Sequence, residues 1–170
     1  KLTDFLAGVS ACNDERSALD AAVERAAEAF EADVGAILIQ GKVRATLGVQ
    51  DDAVPALLFG GARQECRSIE LPDVGPCVVA ATIFDDGEGH LAIARRSDDP
   101  FSPTEIGLLR SMGRVLGMTL RSLRLFESVQ GHEANLSAVI RSALDCIVSI
   151  DLDGRIIEWN PAAEATFGYS

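Results

Sequence analysis

The chain has 170 residues, and 48% of them are apolar, so it can bury a core for one domain and part of another and is not a disordered chain. Its formal net charge of −11 argues against nucleic acid or an anionic membrane surface as a direct partner. The excess is concentrated in residues 1–102, which hold 18 acidic against 9 basic side chains. Cys12, Cys66, Cys77 and Cys146 are scattered, without CxxC or Cys/His clustering, so neither a zinc site nor a disulfide framework follows. No apolar run is long enough to span a bilayer and no signal peptide is visible, so the segment reads as cytoplasmic.

Residues 3–12 and 15–31 read as helices. In the second, Leu19, Ala22, Val23, Ala26, Ala27 and Phe30 form one apolar stripe, and Asn13 or Asp14 can cap it. Val34 to Gln40 is a strand candidate. Gly41-Lys42 then turns the chain into a second strand, Val43 to Val49. A short helix from Asp51 or Asp52 to Leu58 is closed by Gly60-Gly61. Three strands follow at Cys66–Leu71, Cys77–Phe84 and His90–Arg96, with Asp86-Gly87 and Gly89 marking the last hairpin. Helices, a five-stranded antiparallel meander and a long helix make an α+β pattern.

The long helix has a well-formed start. Ser102 caps, Pro103 occupies the first turn and Glu105 reaches back to the cap amide. Leu109, Met112, Leu116, Leu123 and Phe126 make one stripe, with Leu108, Val115 and Val129 beside it. If unbroken to Leu144, the helix spans about 60 Å, longer than one small domain needs. The stripe is read in two ways, as packing on its own sheet or as pairing with a second copy, and Gly113-x-x-x-Gly117 permits close approach of a neighbour in either. Gly131 and a phase shift around Gln130 to Glu133 predict a kink. His132-Glu133 is not a zinc motif, because Leu136 stands where the second histidine belongs.

The last residues read as a hairpin and a helix start. Ile147, Val148 and Ile150 suit a strand, Asp153-Gly154 a two-residue turn, and Arg155 to Trp159 the returning strand. Asn160 caps, Pro161 opens a helix and Gly168 stops it. Asp151-x-Asp153-Gly154 is not a calcium loop, since its twelfth position is Ala162. A hairpin and one or two helical turns cannot stand alone, so the chain reads as an excerpt from a longer modular protein.

Two resemblances organise these elements. D-x-D-G, then W-N-P-A-A-E, then F-G-Y-S resembles the opening of a PAS domain, over about the last fifth of the chain. The F-S-x-x-E-x-x-L-L run at Phe101 to Leu109, with the earlier EADVGAILI, resembles a GAF domain over about residues 1–128. The expected organisation is a GAF-like sensory domain at 1–128, a signalling-helix linker at 129–144 and an incomplete PAS fragment at 145–170.

The GAF resemblance implies a pocket on one sheet face. Cyclic-nucleotide-binding members carry an N-K-F-D-E motif; Phe101 and Glu105 match its end, but the Asn and Lys partners are not evident. Bilin attachment uses a cysteine beside a histidine, and no such pair exists; for haem, only His90 and His132 are available as axial ligands. There is thus no haem, bilin or metal signature. The candidate ligand-binding residues are Arg44, Cys66, Cys77, Thr82 and His90, and the candidate dimer and signalling residues are Leu109, Met112, Leu116, Leu123 and Phe126.

The resemblances imply a sensory, dimerising segment of a bacterial signalling protein, not itself an enzyme. It would relay a small-ligand or partner signal through the helix to an output such as cyclic di-GMP synthesis or breakdown, or a histidine kinase. Two alternatives stand beside it. One is a thiol enzyme of the free methionine-sulfoxide reductase type, using Cys66 and Cys77 on neighbouring strands. The other is a ligand-free dimerisation spacer.

Overall fold

The computed structural model describes residues 1–48, 66–71 and 74–168, with the side chains of 129–137 excepted. Its elements are α1 (Leu2–Ser10), α2 (Glu15–Phe30), β1 (Val34–Ile39), β2 (Lys42–Leu47), β3 (Cys66–Leu71), β4 (Gly75–Phe84), β5 (Gly89–Arg95), α3 (Pro103–Ser142), β6 (Val148–Ile150), β7 (Ile156–Trp159) and α4 (Pro161–Phe167). The helix expected from Asp51 or Asp52 to Leu58, with its closing Gly60-Gly61, lies outside the described residues. The chain divides into two compact units, Lys1–Arg124 and Leu125–Ser170.

The first unit is α+β. Its five strands form one antiparallel sheet in the order β2-β1-β5-β4-β3. β1 is the second strand in from one edge, and all six of its residues are buried, which fits a strand covered on both faces. Strand alternation sorts the side chains. Ile37, Ile39, Val78, Ala80, Phe84, Leu91 and Ile93 point to one face, where they share a core with the helices. α1 contributes Phe5 and Val9, α2 contributes Leu19, Ala22, Val23 and Ala26, and α3 contributes Leu109, Met112, Leu116 and Leu120. Val34, Ala36, Cys77, Val79, Ala92 and Ala94 point the other way and form a separate apolar cluster with Leu71.

Local chemistry sets the helix ends. Asp14 caps α2, its Oδ1 accepting from the Ser17 amide at 2.9 Å. Glu31 ends it in the left-handed conformation at φ 52°. α3 runs without interruption through Gln130–Glu133, so the phase shift and Gly131 do not end the helix there.

The second unit holds a two-stranded antiparallel sheet, β6 with β7, followed by α4. Its hairpin is fixed by Asp151, whose Oδ1 accepts from the amides of Asp153 (3.0 Å) and Arg155 (2.8 Å). Asn160 is its organising residue. Asn160 Oδ1 accepts from the Ala163 amide at 3.0 Å, capping α4, and from the Ile147 amide at 2.9 Å. Its Nδ2 donates to the carbonyls of Asp145 (2.9 Å) and Ile140 (3.2 Å). One buried amide thus ties the end of α3, the entry to β6 and the start of α4 together.

Candidate functional site

The five candidate ligand residues do not converge. Cys66 and Thr82 point to the helix-covered face: Cys66 packs against that core, and Thr82 Cγ2 stands 2.8 Å from where a Cβ on Gly113 would lie. Cys77 and His90 belong to the opposite face by alternation with Val79 and Ala92. Arg44 is exposed on the edge strand β2, beside Glu15, Arg16 and Asp20 of α2. Cys66 and Thr82 share one face and Cys77 and His90 the other, so the five do not line a single face of the sheet.

Register also separates the two strand cysteines. β3 pairs with β4 so that Cys66 lies opposite Ala80, while Cys77 lies opposite Ile69. The odd offset of three residues between Ala80 and Cys77 places the thiols on opposite sides of the sheet. Cys77 is buried, and desolvation, then Asp33, push its thiol up, against a smaller opposing pull from Arg96. A protonated, buried thiol is a poor nucleophile. Cys66 and Cys77 therefore do not form the paired centre that a thiol reductase needs.

The dimer stripe splits as well. Leu109, Met112 and Leu116 are fully buried against the sheet of their own chain, and Leu123 is half-buried beside them. Leu109, Met112 and Leu116 are therefore not available to a second copy. Phe126 alone of the five is exposed, at 62%. The two glycines serve the same intramolecular contact: a Cβ on Gly117 would lie 3.2 Å from the Asp85 amide nitrogen, and one on Gly113 would press on Thr82.

The F-S-P-T-E run is structural. The Glu105 amide donates to Ser102 Oγ at 3.2 Å, and Glu105 Oε2 accepts from the Ser102 amide and hydroxyl, each at 2.7 Å. Arg95 Nη1 donates to Glu105 Oε1 at 2.8 Å, and its guanidinium lies 4.2 Å over the Phe101 ring. Phe101 meets Phe30 edge-on at 6.0 Å. The motif locks the start of α3 to β5 and α2. The hydroxyl and amide of Ser102, with Arg95, hold the Glu105 carboxyl below its ordinary range.

A second connected polar cluster in the first unit is one that sequence reasoning missed. Arg124 donates to both carboxylate oxygens of Glu15, at 3.1 and 3.0 Å, and to Asp85 Oδ2 at 2.6 Å. Three residues earlier in α3, at the same connection, Arg121 donates to Asp86 Oδ2 at 2.6 Å. Asp85 and Asp86 form the turn between β4 and β5, and both sit at positive φ, 54° and 55°, which costs non-glycine residues energy. Together these contacts clasp α3, where it leaves the sheet, to the start of α2 and to a strained turn. Donation to Glu15, then to Asp85, raises the Arg124 pKa against the cost of burial, so this guanidinium stays charged. The only sequence signal was a pair of arginines three apart in an apolar helix and an Asp-Asp-Gly turn.

The GAF domain of a phosphoenolpyruvate-protein phosphotransferase from Coxiella burnetii is 18% identical, with a TM-score of 0.56, covering 75% of this chain and 94% of that one. The GAF domain of a putative sensor histidine kinase from Pseudomonas syringae pv. tomato is 16% identical, TM-score 0.55, covering 77% and 90%. A bacteriophytochrome from R. palustris is 12% identical, TM-score 0.60, covering 84% of this chain and 41% of that one. The first unit has the GAF fold. At the other end of the chain, residues 134–170 match the PAS fold. No curated protein matches the sequence.

Proposed function

We propose that this chain is a sensory relay segment of a bacterial signalling protein, passing a signal received by the GAF unit along α3 to PAS residues and on to an output domain. One observation carries the reading: a single helix is both a buried wall of the GAF core and the lead into the residues that match PAS. A GAF domain of the same fold from a sensor histidine kinase supports it. A cyclic di-GMP enzyme or a histidine kinase is the proposed output, and the segment itself is proposed to be non-catalytic, homodimeric and cytoplasmic. Among the described residues no helix is long and apolar enough to cross a membrane.

In this reading the clasp is the coupling element. Ile83 and His90 pair on adjacent strands beside the turn. A ligand or partner that displaces this end of the sheet must move Asp85 and Asp86, and with them Arg121 and Arg124 of α3. A shift between two discrete arrangements of the clasp is the kind of event that a helix transmits.

The test is hydrogen exchange on Arg124→Ala. Loss of the clasp should cost about 1–2 kcal/mol. It should also raise exchange in the 85–87 turn and along α3 beyond residue 125. Increased exchange confined to the turn sinks the relay. The spacer reading has one observation in its favour, the failure of the five candidate ligand residues to converge. Native mass spectrometry of the chain purified from cells separates the two, since a small molecule retained at stoichiometric amounts counts against a spacer.

A further inference from the structure

The flank of α3 that faces the β4–β5 connection carries a further feature beside the clasp. A groove of about 380 Å³ runs there, with Asp85, Asp86 and Gly87 on one wall and Arg114, Met118 and Arg121 on the other. That volume suits a small organic molecule. The three α3 residues lie at i, i+4 and i+7, so they stand in one row along the helix. α3 comes this close to the turn because Gly117 has no side chain; a Cβ there would lie 3.2 Å from the Asp85 amide nitrogen. Gly87 sits at φ 99° with open space around its Cβ position, so no side chain of its own fills the turn side of the groove.

The charges lining this groove do not balance. The Asp85 carboxylate, its side chain only 10% exposed, is taken by Arg124, and that of Asp86 is taken by Arg121. Arg114 has no hydrogen-bond or ion-pair partner among the described residues. One turn along its row stands Met118, an apolar thioether that is 74% exposed. We propose that the groove binds a small carboxylate with a short aliphatic body. The carboxylate pairs with Arg114 in the two-point geometry that a guanidinium favours, and the body lies over Met118 towards Gly87. A cation finds no free carboxylate, because both aspartates are already paired. A plain inorganic anion leaves Met118 uncovered. The proposal deepens the relay reading by naming a receiving site and a ligand class, and it rests on that reading for its consequence, not for the binding itself. A molecule that touches both walls holds Asp85 and Asp86 against Arg124 and Arg121, so bound ligand favours the closed clasp.

The experiment is a titration of the whole isotopically labelled chain with hexanoate, followed by NMR amide shifts. Saturable shifts are expected at residues 85–87 and 114–121, with a dissociation constant on the order of 1 mM, the strength usual for so small a ligand. Arg114→Gln should weaken binding about 10-fold, and Met118→Ser about 3-fold through lost apolar cover. Arg155→Gln removes the same charge from an exposed position in the second unit and should leave binding unchanged. Thermal melts of the three variants should match the wild type, since all three positions are exposed. Shifts that fail to saturate, or that persist undiminished in Arg114→Gln, overturn the site. Inorganic phosphate saturating as readily as hexanoate overturns the ligand class. Either failure leaves the relay to be judged on Arg124→Ala alone. Hydrogen exchange separates the two readings: hexanoate should slow exchange in the 85–87 turn, and protection there with no change beyond residue 125 upholds the site and removes the relay.

Discussion

The two units of this chain are held together by different physics. In the first, five strands and three helices bury Phe5, Ile37, Leu91, Ile93, Leu109, Met112, Leu116 and Leu120 almost completely. In the second, Ile150, Leu152, Ile156, Ile157 and Phe167 are all more than half exposed, and the one buried polar residue among those described, Asn160, carries four side-chain hydrogen bonds. The first unit is stabilised by apolar area; the second is organised by a polar knot. Apolar burial is non-directional and tolerates small shifts, whereas a buried amide satisfies all its partners in only one arrangement.

The sharpest way to break this contrast is to delete a methylene cluster from the first unit. Leu116→Ala removes a fully buried side chain from the contact between α3 and the sheet. It should cost about 3–4 kcal/mol. Urea denaturation followed by circular dichroism would check it; a loss under about 1 kcal/mol would mean that the cavity collapses without cost.

Asn160→Ala makes the complementary cut. It leaves the donors of Ile147 and Ala163 and the carbonyls of Asp145 and Ile140 without their partner. The expected local cost is roughly 2–3 kcal/mol. Amide exchange of residues 145–168 should accelerate sharply while exchange in the first unit's sheet stays unchanged. Equal loss of protection in both units would refute the separation drawn here.

Ser102→Ala gives the smallest effect, about 1 kcal/mol, by removing the α3 cap. The same box makes a pH prediction. Glu105 is held below its ordinary range, so the stability it contributes is present above the unfolded value of about 4.3 and lost as pH falls through the lower folded value. Wild-type stability should fall more steeply than that of Ser102→Ala on acidification below that range. Parallel profiles would show that Ser102 is not the cause of the Glu105 shift.

The correspondence between sequence and structure follows the range of the forces involved. The cap at Ser102 and Glu105, the Asn160 cap, the Asp153-Gly154 turn and the heptad-like spacing of α3 were legible because each depends on residues within a few positions of one another. The separation of Cys66 from Cys77 was not legible: it depends on a strand register that pairs Cys66 with Ala80, and a slip of one residue would reverse the face. The same holds for the partner of the α3 stripe. Periodicity reveals that Leu109, Met112 and Leu116 share a side, but not whether a sheet or a second helix covers it.

The sequence by itself therefore determined the order of elements, the α+β class, and the two resemblances at either end, because helix caps, turns and apolar periods are local. Only the tertiary structure decided which side chains meet. It set the candidate ligand residues on opposite faces and gave the apolar side of α3 to its own sheet. It also brought Arg124 to Glu15, 109 positions away, and to Asp85. No local rule links residues so distant in the chain; their meeting is fixed by how strands pair and helices pack, which is a property of the whole fold.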